Sequence, residues 1–288
     1  MQKIAALIIA AVTLLFTFPA YSAPLPPIDA EAACVMDVKS KKILFAKDEA
    51  KIMYPASTTK IMTLMVALEK GKLSDPVTVS SRATSYGEAS MELKPGDKLT
   101  LQDLLYGIML VSGNDAAEAV AEHVGGGNRD KFIGWMNEKA ASIGTANTHF
   151  SNPHGLPDPI NHYTTAYDLA LITAQGFANP QFTAFTTVPK KDVTLASGRK
   201  LHMETYNRLL GAYQGANGVK TGFTNDAGLC VVASAKRNDV QLIAVVLNSD
   251  NRWNDAKKLL DYGFENMEDQ ASSKLIAPKP PRGKNSGI

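Results

Sequence analysis

The spacing of apolar residues changes character twice along this chain. Cys34-Val35-Met36 and Ile43-Leu44-Phe45 are short apolar runs on either side of the polar turn Lys39-Ser40-Lys41, so Ala33 to Ala46 predicts a β-hairpin. The period then lengthens. Ile61, Leu64, Met65 and Leu68 stand at i, i+3, i+4 and i+7, one face of a helix closed by Lys70 and Gly71. Residues 76–99 are polar and broken by the turn Pro95-Gly96-Asp97. Thr100 with Asp103 predicts a capping box ahead of a helix carrying Leu101, Leu104, Leu105, Ile108 and Met109. That helix stops at Val111-Ser112-Gly113-Asn114-Asp115. Another runs from about Ala116 to Val124, and Asn128 caps a third with Phe132, Trp135, Met136 and Ala140 on one face. His149 to Tyr163 predicts a loop, Ala166 to about Gln175 a helix, and 180–216 a mixture of short strands and loops. Gly218 to Thr221, Leu229 to Ala235 and Val240 to Leu247 predict strands, and Trp253 to Met267 returns to helical spacing. Strands near both ends with helices between them predict one sheet built from the two ends and a helical insertion.

Composition narrows this further. The 288 residues are 45% apolar, enough for one large domain or two modest ones. A net charge of +2 without a basic stripe argues against nucleic acid as a partner. Lys3, the apolar run Ile4 to Phe18 and the small residues around Ser22 read as an export signal, residues 1–22, cleaved after Ser22. Fifteen apolar residues fall short of the ~20 that span a bilayer. The Pro-rich, basic tail 268–288 has almost no apolar face and is expected to be disordered. The domain proper is then 23–267, soluble after cleavage, in the periplasm or at the cell exterior, with no C-terminal membrane anchor. Cys34 and Cys230 sit in apolar strand-like runs and are expected to be buried free thiols, although an exported protein could pair them.

The candidate chemistry starts at Ser57-Thr58-Thr59-Lys60. A serine and a lysine three apart at the start of a helix are neighbours and can serve as nucleophile and base. A second match, Ser197-Gly198-Arg199-Lys200, has no helical pattern behind it. Two further short elements follow in order, Ser112-Gly113-Asn114 at a break between helices and Lys220-Thr221-Gly222 on a strand. This is the trio of serine enzymes that react with β-lactams, with glycine where some carry aspartate in the middle element. His149, His154 and His162 share one loop, but no HExxH or cysteine accompanies them, so no metal or other cofactor is expected. No Gly-x-Ser-x-Gly appears, which argues against a Ser-His-Asp hydrolase.

The chain resembles the low-molecular-mass penicillin-binding proteins, the serine-type D-alanyl-D-alanine carboxypeptidase family. The likeness runs from about Ala33 to Asn266 through Tyr54-Pro55-Ala56-Ser57-Thr58-Thr59-Lys60, Ser112-Gly113-Asn114-Asp115-Ala116, His154-Gly155-Leu156, Thr165-Ala166-Tyr167-Asp168-Leu169 and Gly218-Val219-Lys220-Thr221-Gly222-Phe223-Thr224. It implies an α/β (α+β) fold of the penicillin-binding transpeptidase/β-lactamase-like type, a five-stranded antiparallel sheet flanked by helices plus a mainly helical lobe. It also implies removal of the terminal D-alanine from peptidoglycan stem peptides through an acyl-enzyme, in the service of cell-wall synthesis and cell shape. Ser57 would attack, with Lys60 as its base and Ser112 passing a proton to the leaving amine. Asn114, Lys220, Thr221, Gly222 and Phe223 would bind substrate, and the Ser57 and Phe223 N–H groups would form the oxyanion hole. β-Lactams would acylate Ser57 and leave slowly.

Plainer readings remain open: Ser112 as a helix cap, Lys220 as a solvated strand residue, Asp168 as a helix-end residue. Rival functions are a D,D-endopeptidase on cross-links, a β-lactamase-like hydrolase and a silent wall-peptide binder. Among the glutamates between Ser112 and Lys220, Glu118 and Glu122 fall in a predicted helix and Glu204 comes late, so no deacylating glutamate stands out. Arg208 lies upstream of Lys220 as a possible carboxylate ligand, in uncertain register.

Overall fold

A computed structural model describes residues 24–276, with side chains to 267. The signal reading at 1–22 and the last part of the tail therefore lie outside the described residues. Five antiparallel strands form the central sheet in the order β2-β1-β9-β8-β7: β1 (Ala32–Asp37), β2 (Ile43–Lys47), β7 (Ala216–Thr224), β8 (Gly228–Arg237) and β9 (Val240–Leu247). The expected α+β architecture is what the chain adopts, and both ends of the chain contribute to one sheet.

Strand alternation explains why these segments read as continuous apolar runs. Cys34, Met36, Val232, Ile243 and Val245 belong to the apolar cluster under the helical lobe, whereas Val35, Val231, Ala233, Leu242 and Val246 belong to the cluster under α7 (Arg252–Ile276). A sheet buried on both faces has no polar face to alternate with. Cys34 and Cys230 are buried free thiols.

The lobe contains α1 (Lys60–Lys70), α2 (Leu101–Leu110), α3 (Asn114–Val124), α4 (Arg129–Ile143), α5 (Ala166–Gly176) and α6 (Pro180–Thr186). Caps follow the sequence: Thr100 and Asp103 form the capping box of α2, and Asn128 and Thr165 accept from Lys131 N and Asp168 N. Two two-stranded sheets, β3 (Pro76–Thr78) with β4 (Lys98–Thr100) and β5 (Lys190–Thr194) with β6 (Lys200–Glu204), flank it.

Some boundaries differ from expectation. Within 180–216 the sequence pattern shows no helix, yet Pro180 at the first position and Asn179 as cap start α6, whose seven residues are too few to display a period. α3 begins at Asn114, two residues early, and α7 runs nine residues past Met267 to Ile276. The Ser197 to Lys200 match falls on the exposed β5–β6 turn, whereas Lys60 is fully buried and Ser57 half-buried beside it. α1 is the spine of the lobe, with Ile61, Leu64 and Ala67 at 0% exposure.

Candidate active site

The segment before α1 sets the nucleophile. Ala56–Thr59 forms a 3-10 turn, and α1 starts only at Lys60, so Ser57 precedes the α-helix instead of lying within it. In 3-10 geometry residues i and i+3 eclipse, which stacks Lys60 directly on Ser57. Lys60 Nζ donates to Ser57 Oγ at 3.0 Å, to Asn114 Oδ1 at 2.7 Å and to the His154 carbonyl at 2.7 Å. Three acceptors use all the donors an ammonium has. Burial holds Lys60 well below the ordinary lysine range; the Lys220 charge pushes the same way, while Asp115 and Glu88 oppose it.

Across the cleft, Lys220 Nζ donates to Ser112 Oγ and to the Thr221 carbonyl, both at 3.0 Å. Burial, with a smaller contribution from the Arg252 charge, brings Lys220 down to about 7. Lys220 is thus buried in the site, not solvated on its strand. Nor does Ser112 cap α3: the cap is Gly113 and no side chain caps it. Ser112 takes a left-handed conformation at φ 61°, and so does Ala56 at φ 47° before the nucleophile. Such backbones in non-glycine residues cost ~1–3 kcal/mol each and persist where the surroundings fix them.

The fixing contacts can be named. Asp115, buried at the start of α3, accepts from the N–H groups of Met91, Leu93 and Ala116 and from Ser90 Oγ, which folds 88–93 over the Ser112 break. Asn114 Nδ2 donates to the Gly87 carbonyl at 3.0 Å. The His154 carbonyl under Lys60 is held by its own ring. Leu156 N donates to His154 Nδ1 at 3.1 Å, so Nε2 carries the proton and faces Glu118 Oε1 at 3.0 Å, and Glu118 is also paired with Arg129. His162, held down to about 3 chiefly by burial, meets Thr59 Oγ1 at 2.7 Å. His149 contacts the Asn161 carbonyl, so the three histidines each serve separate loop contacts. Asp168 accepts from Asn147 N and Thr148 Oγ1 and acts as a helix-end anchor.

Two glycines seat the nucleophile turn. A Cβ on Gly222 would lie 3.0 Å from the Pro55 carbonyl and 3.2 Å from Ser57 N, so this glycine admits the turn itself against β7. A Cβ on Gly155, at φ 92°, would lie 1.8 Å from the Ala56 carbonyl. Gly155→Ala is therefore expected to displace the turn and cost about 3 kcal/mol or more of stability, readable by urea unfolding.

Ser57, Ser112, Thr221, Gly222 and Phe223 line a cleft of about 220 Å³, together with Glu88, Ala89, Tyr206 and Arg252. Arg252 is what the sequence reading missed. Its Nη1 donates to the Gly222 and Cys230 carbonyls at 2.9 and 3.2 Å, and its Nε has no partner among the described residues. Arg208 is exposed and lies close enough to Arg252 to disfavour its charge. Arg252 is the first residue of α7, far from every motif in sequence, and no local signal marks it.

Comparisons with known proteins place the chain in one family. Residues 20–251 match the family described as D-alanyl-D-alanine carboxypeptidase. A D-alanyl-D-alanine carboxypeptidase of Bacillus subtilis is 37% identical over 83% of this chain and 63% of its own length. One from Mycobacterium tuberculosis is 35% identical over 88% of both chains. The chain thus spans just under two thirds of the Bacillus relative and most of the mycobacterial one. Among solved structures, the Streptomyces K15 D,D-transpeptidase superposes with a TM-score of 0.80 at 33% identity, over 84% of this chain and 100% of its own. A D-alanyl-D-alanine carboxypeptidase from Mycobacterium tuberculosis superposes with a TM-score of 0.80 at 34% identity.

Proposed function

The chain belongs to the D-alanyl-D-alanine carboxypeptidase family, and from that premise we propose that it is a serine D,D-carboxypeptidase releasing the terminal D-alanine of peptidoglycan stem peptides. The observation that carries this reading is the buried Lys60 side-chain nitrogen, able to stand as a neutral amine, 3.0 Å from Ser57 Oγ, opposite a second buried lysine 3.0 Å from Ser112 Oγ. Ser57 Oγ attacks the amide carbonyl as Lys60 takes its proton. The N–H groups of Ser57 and Phe223 receive the oxyanion, worth ~3–4 kcal/mol per donor in comparable sites. Ser112, hydrogen-bonded to Lys220, delivers a proton to the departing D-alanine amine. Water then enters and the acyl group leaves Ser57.

The substrate carboxylate sits at Lys220, Thr221 and Arg252. The free Nε of Arg252 and the position of its guanidinium beside Gly222 support this placement. Arg252→Leu is expected to raise KM for D-Ala-D-Ala peptides about ten- to hundred-fold, the loss of one charge-assisted contact, with little change in kcat. Initial rates over a range of peptide concentrations check it.

Reaction with β-lactams as slow covalent inhibitors follows from the same serine. Glu118, the buried glutamate of the lobe, is engaged by Arg129 and His154 and so does not serve as a deacylating base at Ser57. Work outside the cytoplasm accords with the sequence of residues 1–22, and no helix among the described residues is long and apolar enough to cross a membrane. The deciding experiment incubates the protein with diacetyl-L-lysyl-D-alanyl-D-alanine, with cross-linked muropeptides and with benzylpenicillin. Free D-alanine from the tripeptide and a persistent penicillin adduct support a carboxypeptidase. Cleavage of cross-links alone moves the reading to endopeptidase, and rapid penicillin turnover to β-lactamase.

A further inference from the structure

Glu118 is 0% exposed and lies on α3 one turn beyond Asn114. Residues four apart share a helix face, so α3 sends both side chains the same way. Asn114 reaches Lys60 Nζ directly at 2.7 Å. Glu118 stops at the ring of His154, whose Nε2 is 3.0 Å from Oε1 and whose carbonyl oxygen is 2.7 Å from Lys60 Nζ. The approach to Nε2 is oblique, a carboxylate facing an N–H dipole off its axis. Both Glu118 oxygens also accept from Arg129 Nε, at 3.0 and 2.9 Å.

Stability alone does not account for this pair, since apolar side chains of similar volume often serve as well or better than a buried ion pair. Its position is more telling. It stands behind residues 152–156, the turn that lies against the catalytic lysine. Asn152 Oδ1 fixes the start of that turn, accepting from His154 N and Gly155 N at 3.2 and 2.6 Å. The turn gives two carbonyls to one face of α1, that of Pro153 to Thr63 Oγ1 at 2.6 Å and that of His154 to Lys60. The His154 ring is gripped from both sides, by Leu156 N at Nδ1 and by Glu118 at Nε2.

The consequence rests on the role given to Lys60 above. A neutral amine has two N–H bonds and one lone pair. With its N–H bonds on Asn114 Oδ1 and the His154 carbonyl, the lone pair is left for Ser57 Oγ. Once the Ser57 proton has moved to Nζ, the same two oxygens share the charge of the ammonium. We propose that Glu118 is a positioning residue for this base: by holding the His154 ring from behind, it keeps the carbonyl on Lys60, which aims the lone pair at Ser57 and stabilises the ammonium that forms.

The test is the rate constant of benzylpenicillin acylation, followed by intact mass from pH 5 to 10. A damaged fold lowers the amount of adduct; a misplaced base lowers the rate constant of the molecules that react. Glu118→Gln is expected to slow acylation by a factor on the order of 10–100, the scale of a reacting group misplaced by up to about 1 Å. Its rising limb should lie at lower pH than that of the wild type, because the ammonium has lost support. The charged and titratable groups facing Lys60 are Lys220 of β7, Asp115 of α3 and Glu88 ahead of β4; those facing His154 are Glu118, Arg129, Lys60, His162 and Tyr86. His154→Asn separates the ring from the charge. Asparagine can still accept from Leu156 N but cannot reach Glu118, which keeps its charge and its Arg129 partner. It should reproduce both the slowing and the shift, and the double variant should be no slower than either single one. Wild-type acylation in Glu118→Gln, a slowing without movement of the rising limb, or losses that multiply in the double variant would each overturn the proposal. Should Glu118→Gln fail to fold, His154→Asn decides alone, and a wild-type rate and limb there overturn it. Absence of any adduct on the wild-type protein overturns the proposed function instead.

Discussion

Ser57→Ala is expected to abolish the covalent adduct with benzylpenicillin and to lower D-alanine release by a factor on the order of 10⁵–10⁶, the loss seen when the nucleophile of a serine hydrolase is deleted. The reason is geometric. Among the described residues, the hydroxyl held by the buried Lys60 nitrogen is that of Ser57, and the other serine of the cleft, Ser112, is bonded instead to Lys220. Neither can stand in for the other, because each is fixed to its own lysine on its own element. The fold should survive the change, since Ser57 lies at the cleft surface and the core of α1 begins behind it at Ile61 and Leu64. Intact mass after incubation with benzylpenicillin reads the adduct, and thermal unfolding reads the fold. An adduct of unchanged mass yield in the alanine variant would sink the assignment.

The second large effect concerns Lys60. Lys60→Arg keeps a cation and several donors but removes the ability to accept a proton, because a guanidinium does not deprotonate near neutrality. Acylation is expected to fall by a factor on the order of 10²–10⁴, the usual contribution of a positioned general base. The pH profile of the unmodified protein gives a second readout, and its sign follows from the two lysines. Burial lowers both from the ordinary lysine range. Lys60 must be neutral to take the Ser57 proton, so kcat/KM rises as pH climbs through the Lys60 transition. Lys220 must be protonated to bind the substrate carboxylate, so kcat/KM falls as pH climbs past about 7, where free Lys220 loses its proton. A bell results, whose limbs report macroscopic values of the coupled pair. A bound carboxylate favours charged Lys220, so the falling limb of kcat should lie at higher pH than that of kcat/KM. A kcat/KM that rises without a maximum from pH 5 to 10 would remove Lys220 from carboxylate binding.

Both expectations start from residues that the sequence displays openly. Ser57 and Lys60 head an apolar helical pattern, Ser112 and Asn114 stand where one such pattern stops and another starts, and Lys220 and Thr221 lie in a strand-like run that the structure extends to Thr224. These signals are local, because spacing on a helix or strand fixes which side chains are neighbours. α6 was hidden because a seven-residue helix cannot establish a period. The helical start at Asn114 and the long 3-10 turn before Lys60 were blurred for a related reason: element ends are set by capping and packing more than by propensity.

Arg252 could not be found by any local rule. It enters the cleft only because α7 packs its first residue beneath β7 and β8, thirty-two positions after Lys220 in the chain. The His154 carbonyl is equally silent in sequence, since a backbone oxygen has no residue identity to read, and its aim at Lys60 depends on Glu118 and Leu156 holding the ring. The same holds for the lowered proton affinity of both lysines, which arises from burial that no spacing reveals. By itself, then, the sequence determined the chemistry available, the order of the elements and the pairing of Ser57 with Lys60, because those rest on near neighbours along the chain. Tertiary structure alone decided which distant groups surround them, how dry the site is and where a substrate can run, because desolvation and long-range approach exist only once the sheet and the lobe have closed on each other.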